Sequence, residues 1–226
     1  MKKLSGFTLT ELMIALAVLG ILFALVTPIL ADRQPNKNKM LVKKAYYATS
    51  DIINELVNDI SLYPDLDGVC PDNNATGYVG FDCYASGVAK LPYQFSKKLN
   101  LSSGVPASQS SMDTSTYKKS TSAECCGVSS SCYYLNTNDN VAWTISTSYS
   151  LTKGNPDGYI LLGVDINGDA APNCYQGSTA TGCSSMTSDF DQFRIKLYAD
   201  GRLKINESDT WAIEAVQIGS SITEGI

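Results

Sequence analysis

Cysteine and carboxylate side chains are the groups that could do chemistry in this chain, because its 226 residues include no histidine. Without an imidazole there is no His-dependent catalytic triad, no HExxH zinc site and no histidine general base. The sequence also has no GxxxxGK[ST] phosphate loop and no nucleophile elbow. Paired carboxylates remain, but a glycosidase site needs them at a set separation, which a sequence does not reveal. We therefore expect a protein that is not an enzyme.

The seven cysteines indicate disulfide bonds rather than a metal site. They lack the CxxC…CxxC spacing of zinc sites, and the adjacent Cys125 and Cys126 make an awkward chelate. Bonds that close short loops fit better and indicate an oxidising compartment. Pairing by proximity predicts three bonds: Cys70–Cys83, Cys174–Cys183, and Cys132 with either Cys125 or Cys126. The odd count leaves one thiol free, and one of the adjacent pair is the best candidate.

Asp165, Asn167 and Asp169 present oxygen atoms at alternating positions, as the ligands of a calcium loop do. The segment fails the EF-hand template, because Gly168 stands at the fourth place and no glutamate stands at the twelfth. Two later carboxylates could complete a ligand set: Asp189 and Asp191. A tight turn with side-chain-to-backbone hydrogen bonds explains the same residues. We favour the turn and expect no cofactor, with calcium as the alternative.

Glu11 stands at the start of a long apolar segment. From Leu12 to Ala31 no residue is charged, and as a helix this stretch spans about 30 Å, the thickness of a bilayer core. A secretory signal peptide and a simple signal anchor both match the apolar run. Neither explains the carboxylate, because a charge at the edge of hydrocarbon is unfavourable unless it finds a partner.

The N-terminus combines Lys2-Lys3, then Gly6-Phe7-Thr-Leu-Thr-Glu11, then the apolar run. This combination resembles the N-terminus of type IV prepilins and pseudopilins. The resemblance implies cleavage between Gly6 and Phe7 by a dedicated peptidase, N-methylation of Phe7, and Glu11 as the fifth residue of the mature subunit. It also implies that Glu11 pairs with the Phe7 amine of an adjacent subunit.

Elementary electrostatics agrees with that role for Glu11. Cleavage would create a positive amine on Phe7, about 6 Å along the helix axis from Glu11. Opposite charges attract strongly in a low dielectric, so a staggered neighbouring helix could exchange this pair and set the register of assembly. The alternative is that Glu11 reaches to the membrane surface without a partner.

Gly20 and Pro28 interrupt the same apolar helix. Proline removes a backbone donor and glycine lowers helix propensity, so a mild kink is the simplest interpretation. The resemblance implies more, because the matching positions in pilins bracket a stretch that loosens when subunits pack into a filament.

Basic residues flank the apolar run unequally. Five follow it, whereas two precede it: Arg33, Lys37, Lys39, Lys43 and Lys44 against Lys2 and Lys3. The positive-inside rule alone predicts a cytoplasmic C-terminus. We predict an extracytoplasmic head instead, because its cysteines need oxidation and the leader must face the cytoplasm.

The rest of the chain predicts an α+β fold. Hydrophobic residues make up 44%, which suits a packed core. A helical stripe runs from Val42 to Tyr63, and before it Gln34-Pro35-Asn36 offers a helix break, which leaves either one bent helix or two. Loops and short strands follow, and strands are predicted at 159–164, 193–198, 202–205 and 211–218. The predicted organisation is a leader at 1–6, a transmembrane assembly helix at 7–31, an amphipathic helix at 32–63 and a disulfide-bonded β-rich head at 64–226.

We therefore predict a structural subunit of a type IV pilus or related filament, and the size of the head with its cysteines favours a minor subunit. The alternatives are a pseudopilin of type II secretion or DNA uptake, and an anchored adhesion protein that never polymerises. The expected partners are copies of itself and other pilins, a prepilin peptidase/methyltransferase and an inner-membrane assembly platform. The net charge of -5 does not favour nucleic acid. We expect a single-pass membrane protein that becomes a surface or periplasmic filament.

Overall fold

The computed structural model describes residues 9–32, 37–59, 90–148, 158–198 and 200–217. The chain divides into two compact units, Met1–Lys37 and Asn38–Ile226. The described elements are helices and antiparallel strands, so the predicted α+β class is confirmed.

The first unit contains one helix, α1, from Leu9 to Asp32. Its sequence is apolar on every side, and each described side chain from Leu9 to Leu22 is exposed. No helix in the described part of the chain reaches the length and hydropathy that crossing a bilayer needs. The predicted transmembrane character of residues 7–31 is therefore not confirmed.

Helix α2 runs from Lys37 to Asn58, all but its first residue in the second unit, and buries one stripe of side chains. The buried positions recur at helical spacing: Val42, Ala45, Thr49, Ile52, Ile53 and Leu56. This agrees with the amphipathic helix predicted from the hydrophobic pattern. Residues 60–63 and the predicted break at Pro35 lie outside the described residues.

Six strands form one antiparallel sheet in which each strand pairs with the next in the chain. The strands are β1 (Lys118–Lys119), β2 (Cys132–Asn136), β3 (Ala142–Ser146), β4 (Tyr159–Asp165), β5 (Gln192–Tyr198) and β6 (Leu203–Ile205). Three shorter helical elements complete the described fold: α3 (Lys90–Ser96), a 3-10 helix (Gln109–Asp113) and α4 (Thr210–Gln217). The strands predicted near 159–164, 193–198 and 202–205 are confirmed as β4, β5 and β6.

The sheet and α2 share one hydrophobic core. The inward side chains of the sheet include Ile145, Leu162 and Phe193, each 1% exposed or less. Trp143 of β3 donates from its indole nitrogen to the hydroxyl of Thr49 on α2 at 2.9 Å. That hydroxyl also donates to the carbonyl of Ala45 at 2.7 Å, so the only polar side chain of the buried stripe of α2 is satisfied.

The strand predicted at 211–218 is wrong, because residues 210–217 form helix α4. The carbonyl of Asp209 accepts hydrogen bonds from the backbone N–H groups of Ala212 and Ile213, which start the helix. Ala212 and Ala215 are buried one turn apart, as a helix facing a core requires.

Candidate functional site

The N-terminal candidate site is centred on Glu11, which lies in the first turn of α1 with its side chain exposed. A carboxylate in this position interacts favourably with the positive end of the helix dipole. Its neighbours Leu9, Leu12 and Met13 are 77%, 56% and 64% exposed, so the acid stands within an apolar surface. Gly6 and Phe7, the predicted processing residues, lie outside the described residues.

Gly20 and Pro28 are both within α1, which continues as one helix to Asp32. A Cβ added to Gly20 would have no heavy atom within 4 Å. Large apolar side chains surround this part of the helix and are about half exposed: Val18, Leu19, Ile21 and Leu22. A helix that is apolar on all sides needs a covering environment, which lipid or neighbouring helices would supply.

The second candidate site lies where β4 ends and β5 begins, and its centre is the buried carboxylate of Asp165. Its Oδ1 accepts the backbone N–H of Asn167 at 3.0 Å, and its Oδ2 accepts Nε2 of Gln192 at 2.8 Å. Asp165 is 1% exposed, and this burial raises the pKa of its carboxyl to about 7. The Asp165 backbone pairs with Gln192 across the sheet.

The other predicted ligands have partners of their own. Asp169 accepts a hydrogen bond from the hydroxyl of Tyr134 at 3.0 Å. Asp191 accepts the backbone N–H groups of Asn173 and Cys174 at 2.8 and 2.7 Å, and burial raises its pKa. Of these contacts, only the bond from the Asn167 N–H to Asp165 is local, as in a tight turn, whereas the bonds of Asp169 and Asp191 join residues far apart in the chain.

A polar cavity of about 320 Å³ adjoins these residues, lined by Ala123, Glu124, Tyr134, Asp165, Asp169 and Asn173. Within the described residues, no group of three or more Asp, Glu or Cys side chains is placed to hold a metal ion. The carboxylate and amide oxygens in this lining, the kind that calcium would take as ligands, belong to Glu124, Asp165, Asp169 and Asn173.

Residues 1–27 match the family model of the prokaryotic N-terminal methylation motif. The chain carries a class III prepilin signal. Type IV pilins and pseudopilins share this signal, and the match includes Gly6, Phe7, Glu11 and Gly20, while Pro28 follows it directly. Neither a curated protein nor a solved structure matches the chain. The signal therefore makes the protein pilin-like or pseudopilin-like at its N-terminus and says nothing about its head.

The head of this pilin-like protein contains two described disulfide bonds. Cys174 joins Cys183, as predicted, and Cys132 joins Cys125, which decides between the two predicted partners. Cys126 is the free, buried thiol among the described cysteines. The predicted Cys70–Cys83 bond lies outside the described residues.

Cys126 packs against the bare backbone of Gly163 in β4. A Cβ added to Gly163 would lie 2.5 Å from Cβ of Cys126 and 2.2 Å from Oγ1 of Thr144. Burial and the nearby charge of Asp165 raise the pKa of the Cys126 thiol well above its ordinary value, so the thiolate needed for disulfide exchange is disfavoured.

The ion pair between Arg194 and Asp209 is a feature of the head that has no signature in the sequence. Asp209 is fully buried and accepts Nε and Nη2 of Arg194 at 3.0 and 2.8 Å, as well as the backbone N–H of Arg194 at 2.8 Å. No motif marks a pair fifteen residues apart, so its detection requires the fold. The pair joins β5 to the start of α4.

Proposed function

We propose that this protein is a structural subunit of a type IV pilus or a related filament. The precursor is held in the membrane by its apolar N-terminal segment, cut after Gly6 by a prepilin peptidase, and N-methylated on Phe7. Mature subunits then assemble through α1, with the disulfide-bonded head outside. The observation that carries the proposal is the methylation motif on a helix whose described apolar side chains are exposed.

Glu11 gives the assembly its register in this proposal. Lipid tails are as apolar as leucine, so packing of apolar helices gains little from the hydrophobic effect when subunits leave the membrane. A charge pair behaves differently, because a lone carboxylate in an apolar environment costs several kcal/mol more than one that has its partner. Exchange of the Glu11 carboxylate and the Phe7 amine between staggered subunits therefore favours one arrangement over all others.

The test is a Glu11→Ala variant expressed with the prepilin peptidase and assembly machinery of its host. We expect the variant to be inserted and cut, with an N-terminus at Phe7, but to yield few or no filaments by electron microscopy. Asp51→Ala, which removes an exposed carboxylate from α2, is the matched control and should assemble normally. Normal filaments from Glu11→Ala would refute the assembly role, and a mature N-terminus other than Phe7 would refute the processing.

A pseudopilin of type II secretion or DNA uptake is the second candidate, because it carries the same prepilin signal. It would use α1 and Glu11 in the same way but build a short periplasmic filament. Long surface fibres that contain this protein would favour the pilus, whereas loss of secretion or DNA uptake in a deletion strain without loss of fibres would favour the pseudopilus.

An anchored adhesion protein is the third alternative, and its function would be unchanged by Glu11→Ala. In none of these functions does the head act as an enzyme or require a metal.

A further inference from the structure

Positive charge is concentrated in the first turns of α2. Five of the chain's 17 basic residues occur between positions 33 and 44, and no acidic residue occurs from 33 to 50. The chain as a whole has a net charge of -5. The segment that directly follows the apolar run therefore has the opposite sign to the rest of the protein.

The basic patch, which we define as Lys39, Met40, Lys43 and Lys44, lies on the outward side of α2. With 3.6 residues per turn, its members fall within about 100° of Met40, opposite the buried Val42 and Ala45. Met40 is 57% exposed between the lysines. The ammonium group of Lys44 forms an ion pair with Asp139, and the Lys44 side chain is 60% exposed.

This placement is unfavourable for the helix itself. The first turn of α2 contains no acidic residue, and lysines near a helix N-terminus oppose the helix dipole. The ion pair of Lys44 with Asp139 offsets part of this cost within the fold, and the charges of the patch still leave the outward side of α2 basic.

We propose that the basic patch binds the anionic headgroups of phospholipids at the membrane surface. The inference rests on the proposed membrane-held precursor, in which Lys39 follows the last apolar residue, Ala31, by only eight positions. Cations around an exposed apolar side chain are the arrangement by which helices lie at an anionic lipid interface. The acidic remainder of the chain is repelled by such a surface, so the patch determines which part of the head faces the lipid.

The proposal also explains why basic residues follow the apolar run of a protein whose head is predicted to be extracytoplasmic. Such residues ordinarily mark the cytoplasmic side. Here they contact lipid phosphates of the opposite leaflet, and they must leave those phosphates before a subunit can enter a filament.

The experiment uses the full, uncut protein reconstituted in vesicles of phosphatidylcholine alone or with one third phosphatidylglycerol. Lysines are labelled with an amine-reactive reagent and quantified by mass spectrometry. We expect phosphatidylglycerol to slow the labelling of Lys39 and Lys43 about fivefold, the contribution of one basic residue near an anionic surface, and high salt to restore it. Lys97, an exposed lysine of the head, should label equally in both vesicles.

A double variant, Lys39→Gln with Lys43→Gln, keeps the Lys44–Asp139 pair and should lose the protection of Lys44 by phosphatidylglycerol. The matched control, Lys97→Gln with Lys204→Gln, removes the same charge and should keep it. Equal labelling in the two vesicles would overturn the proposal, as would protection of the same lysines by inorganic phosphate in phosphatidylcholine vesicles, which indicates a free-anion site. Because the protein is neither cut nor assembled here, the result is independent of the filament test on Glu11.

Discussion

At Asp165, burial and hydrogen bonding act on one carboxylate in opposite directions. Hydrogen bonds from Gln192 and from the backbone of Asn167 favour the ionised form, whereas burial and the nearby Asp191 disfavour it. Burial has the larger effect, so the pKa rises to about 7. The folded protein therefore holds a proton at Asp165 under conditions in which the unfolded chain, with an ordinary pKa of about 3.9, has released it.

The stability of the head should fall as pH rises from about 4 to about 7. In that window unfolding releases the proton of Asp165, so the free energy of unfolding decreases as pH rises. The total decrease is about 4 kcal/mol at most, and the free energy of unfolding levels off above pH 7. Denaturant midpoints of the full chain in detergent, followed by fluorescence of Trp143 and Trp211, measure this slope.

Asp165→Asn should flatten most of that pH dependence, because the amide cannot ionise. Asp189→Asn, at an exposed carboxylate shortly before β5, should leave it unchanged. An undiminished slope in Asp165→Asn would mean that other groups, such as Asp191, cause the effect.

The cysteines show how far single residues can be interpreted from sequence. Proximity predicted the Cys174–Cys183 bond, because short loops close at low entropic cost. The choice of Cys125 over Cys126 as partner of Cys132 depends on the backbone of a distant strand. Gly163 leaves room for Cys126 on the sheet, and no local sequence pattern around position 126 predicts this contact.

Helix α2 is fixed to the sheet by one buried hydrogen bond as well as by apolar packing. We expect Thr49→Val to destabilise the head by about 1–3 kcal/mol, because the indole N–H of Trp143 would lose its acceptor while it remains buried. The shift of the denaturant midpoint at constant slope measures this loss.

Thr49→Ser is the matched control, because it keeps the hydroxyl and loses only a methyl group. We expect it to retain most of the stability that Thr49→Val loses. Equal destabilisation by both variants would assign the effect to the methyl group and to packing instead of the hydrogen bond.

The elements that sequence predicted best are those with a long, single hydrophobic period. The stripe of α2 and the alternation of β5 are of this kind. Helix α4 was misassigned because Trp211, Ile213 and Ala215 alternate over a segment too short to separate a strand from a helix. The contacts of this segment with the sheet, including the Arg194–Asp209 pair at its start, favour the helix over a strand.

Strands β2 and β3 lie in a stretch rich in Ser, Thr, Asn and Gly, and sequence predicted them only as unplaced short strands. Their side chains are buried at four of five positions in each strand. Burial on both faces removes the alternation that marks a half-exposed strand. The outer face is covered by the 121–128 segment, for instance where Thr144 donates to the carbonyl of Cys125 at 3.2 Å.

At the scale of the whole molecule, polarity is divided along the chain. The first unit contributes an apolar helix whose described side chains are exposed, and α2 begins with basic residues. The head that follows is acidic and has its own core. This division of polarity is visible in the sequence, because it depends on composition and not on contacts.

A chain that starts at Asn38 should fold by itself in an oxidising compartment, because every described buried residue of the main core lies between Val42 and Ala215. A chain that starts at Ile60 should not. It would lose Ile52, Ile53 and Leu56, and deletion of one such side chain costs about 2–5 kcal/mol against a typical total stability of about 5–15 kcal/mol. Near-UV circular dichroism and protease resistance distinguish the two chains. A folded chain starting at Ile60 would show that the sheet is stable without α2, and an unfolded chain starting at Asn38 would show that the head depends on the N-terminal unit.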